Sequence, residues 1–133
     1  MVRIFEVDMP AGLSGQTDGV DIWISNKLNA TQRRCTIAHE LVHIEQGHTK
    51  AQPEHIEMQV RYETARRLLP SELAGSCVGS TVREVADNFG VTPRVLMDRM
   101  AMATSDEVER AGCADCQLCP AAKFRFSKQP VGI

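Results

Sequence analysis

The feature that most constrains this chain is His39-Glu40-Leu41-Val42-His43, set inside the apolar-periodic run from Cys35 to His48. Residues four apart in an α-helix stand one above the other. His39 and His43 therefore share a face, and both can reach one Zn2+ at about 2.0–2.1 Å. Glu40 falls beside that ion rather than on it. There its carboxylate can take a proton from a water whose pKa the metal lowers to about 7. Ile37, Leu41 and Ile44 form an apolar stripe expected to bury the helix, where an unpaired charge would be costly. Asn29 followed three residues later by Gln32 is a capping pattern, so the helix is expected to begin near Ala30, and Gly47 suits the left-handed position that ends it. His48 follows that glycine, out of helical register with the histidine pair.

Two histidines make a catalytic metal site only with a third protein ligand and an open fourth position. Gln52-Pro53 reads as the start of a second helix, with Glu54 and Glu57 in its first turns and Pro70 halting it. Met58, Tyr62, Ala65 and Leu69 recur at helical spacing and define its expected buried face. Glu54, Glu57 and Glu63 are the candidate third ligands, and spacing alone does not choose among them. Glu54 reads best as a solvated acid near the helix dipole, while Arg61, one turn after Glu57, is placed to orient the Glu57 carboxylate. Arg61, Tyr62 and His48 are candidates to stabilise an oxyanion or to hold a ligand from behind; Tyr62 also lies on the apolar stripe.

Upstream, Arg3 to Val7 alternates as a short strand that Pro10 and Gly12 end, and Ala11 to Asp18 reads as a glycine-rich loop. Val20, Ile22 and Ile24 alternate with Asp21, Trp23 and Ser25, the clearest strand in the chain, with Trp23 opposite the isoleucines. An open edge on that strand would pair with an extended peptide.

With 133 residues the chain is long enough to bury a sizeable core as one domain, and a net charge of −2 gives no general attraction to nucleic acid or membrane. Acids interrupt the first eight residues and no apolar run of about 18 residues occurs, so the protein is expected to be cytoplasmic and without a membrane span. Five cysteines is an odd number. With Cys113, Cys116 and Cys119 in one triplet they read as reduced thiols rather than disulfides. The triplet is also a candidate second metal site, to which Cys35, Cys77 or a partner chain would have to add a ligand.

His39-Glu40-Leu41-Val42-His43, followed one helix later by Glu57 and then Thr64-Ala65-Arg66-Arg67-Leu68-Leu69-Pro70, resembles the ImmA/IrrE family of zinc metallopeptidases over roughly residues 18–103. The resemblance implies a third ligand early in the second helix, which falls on Glu57 when counted back from Pro70. The middle of that helix, Val60-Arg61-Tyr62-Glu63, departs from the small residues usual there and keeps Glu63 as a rival. Val82, Val85, Ala86 and Phe89, then Gly90-Val91, then Thr92-Pro93 before Val95, Leu96 and Met100, have helix-turn-helix spacing. The second of these helices offers Thr92, Arg94, Met97 and Asp98, one cation offset by an acid, so a packing role is expected rather than direct DNA binding.

The expected architecture is α+β and zincin-like: a small edge-open β-sheet, the metal-binding helix, a glutamate-bearing helix and a helical C-terminal part. Residues 1–112 form one domain in this reading, with 81–103 as the helix-turn-helix-like unit within it and 113–133 as a flexible cysteine-containing tail. The expected activity is zinc-dependent endopeptidase, with Glu40 as base and His39, His43 and Glu57 holding Zn2+. The substrate implied by the resemblance is an intracellular helix-turn-helix repressor. The competing expectation is a non-catalytic zinc-containing regulator that binds a protein partner or DNA through its helical part.

Overall fold

Three strands and four helices follow one another along the chain in the computed structural model, which describes residues 1–69 and 81–102. The fold is α+β. The described residues group into two compact units, one of Met1–Thr64 and one from Ala65 onward.

In the first unit, β1 (Ile4–Val7), β2 (Gly15–Thr17) and β3 (Ile22–Ser25) form one sheet in the order β1-β3-β2. β1 runs parallel to β3, and β2 antiparallel to it. The strand expected to offer an open edge is therefore the central one. Both of its ladders are taken, and the edges fall to β1 and β2. β2 itself lies in the stretch expected to be a loop; its three residues carry no apolar alternation. Val20 is outside β3 and exposed. The reason is local: Asp18 Oδ1 accepts from the backbone N–H groups of Val20 and Asp21, at 2.9 and 2.8 Å, closing a turn there.

Alternation along β3 sends Ile22 and Ile24 to one face, both fully buried, and Trp23 to the other, where it stacks on Phe5 with ring centroids 5.8 Å apart. The register to β1 is fixed at its start. Arg3 donates from its backbone N–H and its guanidinium to Asp21, and its carbonyl accepts from Ile22 N–H at 2.8 Å.

Helix α1 (Ala30–Glu45) lies against β2 and β3. Its start is a complete capping box: Gln32 N–H donates to Asn29 Oδ1 at 2.8 Å, and Asn29 N–H donates to Gln32 Oε1 at 3.0 Å. Gly47 takes the left-handed conformation beyond its end, at φ 79°. The buried face is not the expected stripe. Leu41 is 37% exposed and Ile37 and Ile44 are half-buried, while Cys35, Glu40, Val42 and His43 are buried. The helix turns Glu40 and Thr36 toward β2 at Gly15, and Leu41 lies off that face.

Helix α2 (Glu54–Leu68) starts beyond Pro53, whose carbonyl accepts from Ile56 and Glu57 N–H. Val60, Thr64 and Ala65 are its buried positions, with Leu69 buried just beyond its end; Met58 and Tyr62 are half-buried. In the second unit, α3 (Val82–Phe89) is capped by Thr81 and ends on left-handed Gly90, and α4 (Pro93–Ala101) is capped by Thr92 with proline in its first turn. α3 and α4 pack together, burying Val85, Ala86, Val91, Leu96 and Met100. Arg94 lies 3.8 Å from Asp98, so the cation of that helix start has an acid beside it. Cys77, Pro70 and Cys113, Cys116 and Cys119 lie outside the described residues.

Candidate metal centre

His39 and His43 and the three candidate glutamates, Glu54, Glu57 and Glu63, all sit in the first unit. His39 and His43 come from successive turns of α1, and Glu57 from the first turns of α2. Their ligand atoms all lie within 4.8 Å of one another, the one such group of His, Cys, Asp or Glu among the described residues. Glu57 Oε1 is 3.1 Å from His43 Nε2 and 3.5 Å from His39 Nε2. A tetrahedron with bonds of about 2.1 Å has edges of about 3.4 Å, so these separations fit one zinc ion held by two imidazoles and a carboxylate. Glu63, the rival, is half-buried and not part of the group; Glu54 is exposed.

Glu57 is oriented by the backbone. Its other oxygen, Oε2, accepts from Gln52 N–H at 3.1 Å, which turns Oε1 toward the histidines. Burial by itself would raise the carboxyl's pKa. The Gln52 N–H and the nearby His43 and His39 outweigh burial and hold Glu57 below its ordinary range. A side-chain pattern could not point to Gln52, because it acts through its main chain. The useful signal is its place just before Pro53 at the start of the helix.

His39 is held below the ordinary histidine range, first by burial and then by His43, with the Arg61 charge adding to the effect. Arg61 therefore acts electrostatically on the site, through His39. A histidine that resists protonation keeps a lone pair free for a metal.

Glu40 is 6% exposed, and burial, with the charge of Glu57 adding, pushes its carboxyl up to about 7. β2 passes directly over it. A Cβ built on Gly15 would lie 2.5 Å from Thr36 Cγ2, 3.3 Å from the Trp23 carbonyl and 3.4 Å from Glu40 Oε1. Glycine at position 15 is thus required by the approach of an edge strand to the helix, at the turn that carries Glu40. Tyr62 is half-buried on α2. His48 returns to the site from beyond the helix end, its Nδ1 2.9 Å from His43 Nδ1.

Cys35 is a free, buried thiol in α1, apart from the group. No helix of the described residues is long and apolar enough to cross a membrane. No curated protein and no solved structure matches the chain. A family model does, the IrrE N-terminal-like domain of the peptidase M78 family, over residues 2–100. The paired helices, their two histidines and glutamate, and this match across most of the chain agree: the chain belongs to the ImmA/IrrE metallopeptidase family.

Proposed function

We propose that the protein is a zinc-dependent endopeptidase of zincin-like architecture that cleaves an intracellular helix-turn-helix repressor at an exposed linker. The observation that carries the catalytic part is the convergence of His39, His43 and Glu57, with the Glu57 carboxylate 3.1 and 3.5 Å from the two imidazoles, beside a buried Glu40 on the same helix as the histidines. Zinc, when bound, supplies a Lewis acid that polarises a scissile carbonyl and makes water acidic. His39, His43 and Glu57 would hold it, three protein ligands being the number a catalytic zinc site uses.

Glu40 is the proton carrier. Buried and next in sequence to a ligand, its carboxylate can accept a proton from the attacking water and return it to the leaving amine. The substrate lies along β2. That strand has β3 on one side only and passes Glu40 at Gly15, so an extended peptide added to its outer edge would run past the carboxylate. Extended conformation is available in linkers and flexible loops, where backbone groups are free to pair, and not within folded helices. The choice of a repressor as substrate rests on family membership.

The test is incubation of the zinc-loaded protein with a helix-turn-helix repressor encoded beside it, with fragments read by mass. One cut in a linker is expected, abolished in Glu40→Gln. Cleavage that persists in Glu40→Gln removes the catalytic assignment; an intact repressor with zinc fully bound removes the endopeptidase reading in favour of a non-catalytic regulator.

A further inference from the structure

His48 stands five residues after His43, a spacing that would place the two rings on different sides of a continuous helix. The chain does not continue as a helix. Gly47, at φ 79°, reverses it, and His48 N–H donates back to the His43 carbonyl at 2.9 Å. The reversal brings the rings together, with centroids 5.2 Å apart, planes at 60° and the two Nδ1 atoms 2.9 Å apart. Two ring nitrogens at that separation share one proton. If His43 gives Nε2 to a metal, its own proton sits on Nδ1, and His48 Nδ1 can only accept it; the His48 proton is then on Nε2.

His48 is in turn set by the sheet. Gly19, between β2 and β3, has φ 96°, and a Cβ there would lie 2.9 Å from Thr49 Cγ2 and 3.4 Å from the His48 carbonyl. The β2–β3 turn is therefore seated on His48-Thr49 at van der Waals distance. We infer that His48 is a positioning residue for the metal centre: it accepts the Nδ1 proton of His43, fixing that ring's tautomer and plane, and it is itself placed by the β2–β3 turn at Gly19. This rests on the metal-centre reading above and adds to it a link between the substrate-side hairpin and a ligand. Partners of this kind behind a metal-binding histidine change affinity by about 10–100-fold when removed.

The full chain is titrated with zinc against a chromophoric chelator, and the visible spectrum of its Co2+ form and the melting temperature of the metal-free protein are recorded. His48→Leu is expected to weaken zinc binding by about 10–100-fold and to alter the Co2+ spectrum, while the metal-free protein still melts cooperatively, somewhat lower for the lost hydrogen bond to buried His43. His48→Asn and His48→Gln separate orientation from packing. The asparagine oxygen can occupy the place of Nδ1 and should restore most of the affinity; the glutamine oxygen reaches the place of Nε2 and should not. Gly19→Ala should weaken zinc binding in the wild-type background and add little to His48→Leu. A wild-type chain that takes up no zinc overturns the metal-centre reading itself. Zinc held by the wild type and equally by His48→Leu, or equal affinities for the asparagine and glutamine variants, overturns the positioning role alone.

Discussion

Glu40 shows most plainly how a single residue can be placed against its own stability. Its carboxyl has a folded-state pKa of about 7, above the ordinary glutamate value of 4.5. The metal-free folded protein therefore holds a proton there that the unfolded chain has already lost. A raised carboxyl pKa gives stability that is fully present below about pH 4.5 and is lost as pH rises toward 7. From these two values the loss amounts to no more than about 3 kcal/mol. Glu40→Gln, which stays neutral, should match the wild type in the metal-free state near pH 4 and be the more stable by up to about 3 kcal/mol at pH 8, measured by urea unfolding with a chelator present. Equal stabilities at both pH values would mean that Glu40 does not titrate in this burial. His39 and His43, four apart on one helix, are a pattern the sequence carries by itself; Glu57 came from the family resemblance, because spacing alone left Glu54 and Glu63 open. What surrounds them was legible only in part. His48 was already a candidate to hold a ligand from behind, but the chain reversal that brings it to His43 reads from helical spacing as a loss of register, and Gln52 acts through a main-chain N–H that no side-chain pattern marks.

At the scale of elements, capping chemistry was the most readable. Asn29 with Gln32 begins α1 and Gly47 follows its end, each where local hydrogen bonding or backbone freedom requires it. β2 was not readable. Three residues without apolar alternation give no periodic signal, and their strand conformation comes from the ladder to β3 and the approach to α1. The buried face of α1 was misread for a related reason. Counting apolar residues selects Leu41, but the helix is oriented by Ile22 and Ile24 beneath it and by the site it must present, so Val42 is the residue that is buried. Gly15 is the joint between these elements. Gly15→Ala should destabilise the protein by about 1–3 kcal/mol, because the new methyl meets the β-branched and therefore stiff Thr36 at 2.5 Å. Adding Thr36→Ala removes that methyl and should recover much of the loss. Thermal melts of the two single variants and the double variant decide it; a double variant no better than Gly15→Ala would place the clash elsewhere.

For the whole molecule, the proposed reaction would draw two ligands and a base from α1, the third ligand from α2, and a free strand edge beside the base from β2. The central claim is that one zinc ion is held by His39, His43 and Glu57, with Glu40 next to it and not bound to it, and with the cysteine triplet at 113, 116 and 119 playing no part. Elemental analysis of zinc per chain, on protein purified without added chelator, tests all of this together. The account predicts about one zinc in the wild type, in Glu40→Gln and in the variant with Cys113, Cys116 and Cys119 all changed to serine, and little or none in His39→Ala, His43→Ala or Glu57→Ala. Full zinc in His43→Ala, or loss of zinc from the triple-serine variant, would contradict it.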